Sequence, residues 1–103
     1  MGIDRRAKGR RIELKARKLL ESLGYLVEKK NTNRWESPDF YGMFDLMAIM
    51  SGTTRLIQIK SNPTDFYKAR KEIKEWVKEN KVKVPCEIWL YEGRNNWRME
   101  ELS

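Results

Sequence analysis

The sequence predicts a mixed α/β (α+β) domain whose elements run helix, three strands, helix, two strands (αβββαββ), with a mixed sheet flanked by helices. Three observations carry this. Apolar residues recur at helical spacing in two separate segments. Between them lie an apolar run and an alternating run joined by a Gly-containing turn. After the second helical segment, a proline precedes two further strand-like stretches.

The first helix is expected from about Ile12 to Leu23, where Ile12, Ala16, Leu19, Leu20 and Leu23 form one stripe. Gly24 stands where a helix commonly ends on a left-handed residue. Residues 1–11, with Arg5, Arg6, Lys8, Arg10 and Arg11, read as a basic N-terminal arm. A first strand follows at Tyr25 to Lys29. Asn31 to Gly42 reads as a long polar loop holding Arg34, Trp35, Pro38, Phe40 and Tyr41. Met43 to Met50 is almost continuously apolar and is expected to be a central strand buried on both faces. Ser51-Gly52-Thr53-Thr54 forms a turn, and Arg55 to Lys60 the returning strand. Asn62 caps a second helix, Pro63 suits its first position, and Asp65 complements its positive end. That helix runs to about Asn80, burying Phe66, Ala69, Ile73, Trp76 and Val77. Pro85 breaks the chain before a strand at Cys86 to Tyr91, and a last short strand lies near Trp97 to Glu101.

The 103 residues suit a single domain, and 40% hydrophobic content with four Trp is enough to fill one core. The net charge of +7 favours polyanionic partners, nucleic acid before anionic membrane; a solvated lysine-rich surface is the plainer alternative. Cys86 is the only cysteine and lies in an apolar run, which reads as core. With no His and one Cys, a Ser-His-Asp triad, a Cys-His pair, a His-ligated zinc and an intrachain disulfide are all excluded. Acid–base work falls to carboxylates, Lys, Tyr or water. No run is long and apolar enough to span a bilayer, and no signal-peptide core follows the basic N-terminus, so a cytoplasmic, intracellular location with no membrane association is expected.

The hairpin gathers polar groups on one face. With the turn centred on Gly52-Thr53, Asp45 lies opposite Lys60 and Met47 opposite Gln58. Side chains two apart share a face, so Asp45, Gln58 and Lys60 cluster; a slip of one residue would scatter them. Asp45 sits inside the apolar run, and a buried carboxylate is costly unless paired or metal-bound. The alternative is a simple Asp45–Lys60 cross-strand pair, worth roughly 0.2–1 kcal/mol. On the first helix, Glu13 borders the apolar stripe and Gly9, one turn before it, leaves its approach uncovered; here the alternative is a solvated Glu paired with Arg17. A Mg²⁺ held by carboxylates activates water and stabilises a pentavalent phosphate. Glu13, Asp45, the Gln58 side-chain oxygen and the Ile59 backbone carbonyl supply the hard oxygen ligands it prefers, and Lys60 a cation for phosphate or water.

These pieces resemble the PD-(D/E)xK nuclease superfamily and, within it, the small archaeal Holliday-junction-resolvase-like endonucleases. The matching segments are Gly9-x-x-x-Glu13, Phe44-Asp45-Leu46-Met47-Ala48 and Gln58-Ile59-Lys60, followed by a helix and strands in the same order. The resemblance implies a restriction-endonuclease-like core and DNA phosphodiester hydrolysis on branched or structured DNA. It further implies a Mg²⁺ cofactor replaceable by Mn²⁺, roles in recombination and repair, and a homodimer, because two symmetric cuts need two sites. It assigns metal binding to Glu13 and Asp45 and catalytic assistance to Lys60. There are two departures: Phe44 rather than Pro precedes Asp45, and Gln58 stands where the family usually has Asp or Glu. A neutral amide holds metal less strongly.

For DNA contacts, Arg5, Arg6, Lys8, Arg10 and Arg11 are placed to grip phosphates without reading base sequence. Arg34 and Trp35 stand in the long loop, where Trp35 either stacks on an unpaired base or packs on protein. Lys68, Lys71, Lys74 and Lys78 interleave with Glu72, Glu75 and Glu79 and read as a solvated helix face. A catalytically inactive DNA-binding module and a protein-interaction module with a basic surface are the competing readings.

Overall fold

The computed structural model describes residues 5–29 and 40–102, and the side chains from residue 8 onward. The elements are α1 (Arg5–Ser22), β1 (Leu26–Lys29), β2 (Leu46–Met50), β3 (Thr53–Lys60), α2 (Pro63–Asn80), β4 (Cys86–Gly93) and β5 (Asn96–Glu101). The expected order αβββαββ and mixed sheet are what the chain forms.

The five strands lie in the order β1-β2-β3-β4-β5. Every neighbouring pair is antiparallel except β3 and β4, which run parallel because α2 carries the chain back between them. Two cores follow from strand alternation. Leu56, Cys86, Ile88 and Leu90 pack with Phe66, Ala69 and Ile73 of α2. Their chain neighbours Ile57 and Trp89, with Leu46, Ala48 and Val27, pack with Ala16 and Leu20 of α1. The helices therefore cover opposite faces of the sheet.

α1 is longer than its apolar stripe. The basic segment expected as an arm is helical from Arg5 onward. Arg, Lys and Ala are good helix formers, so the helix continues past the sheet without an apolar face to mark it. At its other end Tyr25 N–H donates to Leu20 C=O at 3.1 Å and Gly24 N–H to Glu21 C=O at 3.0 Å, with Gly24 at φ +98°. This closes the helix as expected. α2 begins as its sequence dictates: the Asn62 side chain accepts from Thr64 N–H at 2.8 Å and Asp65 N–H at 3.4 Å, and Pro63 opens the helix.

The apolar run Met43 to Met50 is not one strand. Tyr41 and Gly42 adopt positive φ, and Phe40 and Phe44 exchange backbone hydrogen bonds across the turn, so β2 starts only at Leu46. Phe44 is apolar because it fills the core beneath α2, not because it lies in a central strand. The strand buried throughout residues 86–90 is β4.

The hairpin turn is centred one residue earlier than expected, on Ser51-Gly52. Met50 pairs with Thr53, leaving Ser51 (φ +49°) and Gly52 (φ +82°) as a two-residue loop whose positive φ angles suit the right-handed twist of the hairpin. The ladder therefore places Leu46 opposite Ile57, and Asp45 stands at the level of Gln58 rather than Lys60. The difference is two residues, an even step, so the residues of β2 and β3 keep their faces; Asp45 precedes β2 and is not held by that rule.

Candidate functional site

The site forms where β2 is too short to accompany β3. Even-numbered residues of β3 hydrogen-bond toward β4, as Leu56 N–H does to Pro85 C=O at 2.9 Å. Odd-numbered residues point toward β2. Ile57 C=O accepts from Asp45 N–H at 2.9 Å, the last backbone link to that side among the described residues. One step further, Ile59 N–H donates to the Asp45 carboxylate (Oδ2) at 2.7 Å. A side chain thus takes the place of the missing strand. In strand geometry a residue's C=O lies on the same side as its N–H, so the Ile59 carbonyl is directed into the same notch.

Glu13 reaches this notch from α1. Its neighbour Ile12 is buried at 5% exposure, while the Glu13 side chain remains 25% exposed. Gly9, Ile12 and Glu13 line a pocket of about 60 Å³ together with Ile59, Lys60 and Ser61. That volume suits an ion or a few waters; organic ligands need about 300–1,000 Å³. A second pocket, of about 50 Å³, has Glu13 and Arg10 on one side and Lys29 and Leu46 on the other. Across it Lys29 Nζ pairs with Glu13 Oε2 at 3.5 Å. Arg17, the partner expected for a purely solvated Glu13, instead pairs with Glu21 at 3.7 Å.

Glu13 and Lys60 belong to opposite sides of the sheet by alternation. Gln58 and Lys60 share the side of Leu56, which faces α2, whereas Ile57 and Ile59 face α1. They line one pocket because the meeting point is the open end of β3, not a sheet face. Gln58 is half-buried and level with Ile88 of β4.

The donor set suits a hard divalent cation. The carboxylates of Glu13 and Asp45 are oxygen ligands, and Mg²⁺ is ordinarily held by one or two carboxylates with waters completing its shell; Gln58 does not line the pocket that Glu13 and Ile59 share. Ile59 is common to both acids: it is hydrogen-bonded to Asp45 and shares a pocket with Glu13. Among the described residues no three acidic, His or Cys side chains come together.

Gly9 does not relieve a close contact. A methyl group there would meet nothing within 4 Å, so its effect is confined to leaving the pocket mouth open. Lys8, Arg10 and Arg11 are exposed on the first turns of α1, which carry no acidic residue. Cations at a helix N-terminus oppose its dipole, so their placement there is not explained by helix stability. Arg5 and Arg6 lie in the same helix; Arg34 and Trp35 lie outside the described residues. Lys29 and Ser61 are site-lining residues that the sequence does not single out, because only the pairing of Lys29 with Leu46 brings β1 beside the notch.

On the face covered by α1, Arg55 and Glu87 form an ion pair that also accepts the Trp89 indole N–H at 3.1 Å. The Tyr25 ring lies 5.0 Å from the Arg55 guanidinium. The hydrogen bond to Glu87, opposed by burial, raises the Arg55 pKa further above its already high value. This group is architectural: it joins β3 to β4 and closes the end of the α1 core.

This five-stranded sheet, entered by a helix and crossed by a second one between its parallel strands, is a fold also found in a solved Holliday junction resolvase. Among solved structures the chain is similar to Hjc of Archaeoglobus fulgidus, a Holliday junction resolvase from an archaeal hyperthermophile. The TM-score is 0.61, the sequence identity 16%, and the match covers 92% of this chain and 73% of that one. At that identity the likeness is one of fold, consistent with the PD-(D/E)xK resemblance of the sequence. No protein-family model and no curated protein matches the chain. No helix among the described residues is long and apolar enough to cross a membrane.

Proposed function

We propose that this protein is a Mg²⁺-dependent DNA endonuclease that hydrolyses phosphodiester bonds in branched or structured DNA, with Mn²⁺ as a substitute, acting as a homodimer in recombination or repair. The observation that carries the proposal is the notch at the end of β3. There the Asp45 carboxylate holds Ile59 N–H, and Glu13 and Lys60 line a shared pocket. The fold similarity to a Holliday junction resolvase supports the choice of substrate class.

Glu13, Asp45, the Gln58 amide oxygen and the Ile59 carbonyl would hold the cation. When bound, it supplies positive charge against the phosphate and favours ionisation of water. Ile59 N–H fixes the Asp45 carboxylate, so the acid needs no reorganisation on loading. Lys60 supplies an ammonium at the pocket wall, suited to the charge that grows on phosphate oxygens. Arg5, Arg6, Lys8, Arg10 and Arg11 hold the backbone beside the site, with Arg34 and Trp35 as loop contacts.

Cleavage of labelled four-way junctions, flaps and plain duplex, with Mg²⁺, Mn²⁺ or chelator, tests this. Metal-dependent cleavage abolished by D45A and strongly reduced by E13A and K60A is the expected result. Absence of cleavage in either metal, with K60A indistinguishable from the parent, overturns it.

A second reading, a DNA-binding module without hydrolytic activity, is favoured by Gln58 and by the lack of a three-acid cluster among the described residues. It requires salt-dependent DNA binding that is unaltered by D45N or by chelator, and no cleavage.

A further inference from the structure

One flank of α1 carries a row of cations and no acid. Lys8, Arg11, Lys15 and Lys18 recur at spacings of three and four residues and so form one stripe. All four are exposed. The acids of α1 lie elsewhere: Glu13 faces Lys29 of β1, and Glu21 pairs with Arg17. The stripe faces the opposite edge of the sheet, where Lys15 Nζ donates to Asn95 Oδ1 in the β4–β5 turn at 3.5 Å. Between helix and turn lies an open groove of about 450 Å³ lined by Arg11, Leu14, Lys15, Lys18 and Asn95.

The stripe is continuous with the candidate site. Lys8 lines a neighbouring groove with Ser61 and Pro63, and Ser61 follows Lys60 directly. From Lys8 to Lys18 the helix rises roughly 15 Å at about 1.5 Å per residue. Over that length one strand of duplex DNA presents about four phosphates. Four cations set about 4.5–6 Å apart along a rigid rod are placed to reach several of them. No acid of α1 lies in the stripe to neutralise them, and among the described residues no ion pair occupies Lys15 or Lys18.

We infer that Lys8, Arg11, Lys15 and Lys18 form a track for the phosphodiester backbone of a duplex DNA arm leading away from the site toward the β4–β5 turn. This rests on the DNA-binding part of the proposed function and not on hydrolysis.

The test is binding of fluorescent blunt duplexes of unrelated sequence, in chelator, across a salt series, by the parent chain, K15A/K18A and the charge-matched K71A/K74A on α2. Chelator removes cleavage from the measurement, so the track stands or falls separately from the nuclease reading, which the Asp45 and Lys60 variants address. K15A/K18A is expected to bind all duplexes about tenfold or more weakly at ~0.1 M salt. Its slope of log K against log salt should be shallower by about 2. K71A/K74A should behave as the parent. Alanine favours the exposed helix, and far-UV circular dichroism with a K15Q/K18Q pair guards against a folding artefact. Parent-like affinity and slope for K15A/K18A overturns the inference. So does an equal loss in both double variants, which would reflect net charge alone. Loss of binding to vesicles of equal parts phosphatidylcholine and phosphatidylserine with DNA binding intact would assign the stripe to a lipid surface and likewise overturn it.

Discussion

The Asp45 carboxylate accepts the Ile59 amide hydrogen at 2.7 Å, fourteen residues along the chain and across the gap where β2 has not yet begun. One acid thereby completes the β3 hydrogen-bond ladder and lies at the mouth of the candidate site. Removing it should produce two separable effects. D45A leaves a backbone N–H without its acceptor and should cost about 1–3 kcal/mol in urea denaturation. D45N retains a carbonyl acceptor and should recover most of that stability while failing to cleave. Equal stability of D45A and the parent would show that the hydrogen bond is replaced by water.

Lys29 competes for Glu13. The pair is 3.5 Å apart and partly exposed, so it is weak. Replacing Lys29 by Met removes the competing ammonium and keeps the aliphatic stem. Mn²⁺ affinity, read by calorimetry, should rise about two- to fivefold, in keeping with an exposed ion pair. Unchanged or weaker Mn²⁺ binding would show that Lys29 does not hold Glu13 from the metal.

Glu87 is buried and serves both Arg55 and the Trp89 indole. E87A strands a largely buried guanidinium and an indole N–H, and should destabilise the fold by about 3–5 kcal/mol. E87Q keeps an acceptor for one of them and should cost less. The combined replacement R55M/E87L removes both charges and should be more stable than E87A alone, which a thermal melt reads directly.

Burial pushes the Cys86 thiol up from its ordinary 9.0 to about 11. Its folded pKa is above its unfolded one, so its contribution to stability is fully present below about pH 9 and is lost as pH rises through about 11. Unfolding free energy should fall across that window, and C86A should flatten the fall. At neutral pH the native thiol should react with a disulfide reagent only as fast as the chain opens.

Gly9 costs helix stability without filling a steric need, since a methyl there meets nothing within 4 Å. G9A should raise the stability of the chain by about 0.5–1 kcal/mol. A thermal melt showing a loss would mean that the pocket mouth requires the bare backbone.

What the sequence determined alone was whatever a few neighbouring residues encode. Asn62 and Pro63 set the start of α2, and Gly24 the end of α1, because caps and left-handed residues act within one turn. The alternation that puts Gln58 and Lys60 on one face of β3 was also legible, but Asp45 precedes β2 and its carboxylate lies at the strand edge on Ile59 N–H, a contact no alternation pattern encodes. Tertiary structure alone decided the rest. The apolar Met43-Phe44 pair looked like strand, yet the Tyr41-Gly42 turn and the α2 core claimed it, since hydrophobicity specifies burial and not the element that is buried. The helical form of residues 5–11 had no apolar face to announce it. The notch, the Lys29–Glu13 pair and the buried Arg55–Glu87 pair join residues far apart in the chain. Such contacts exist only once the sheet has brought its strands together, and no local pattern records them.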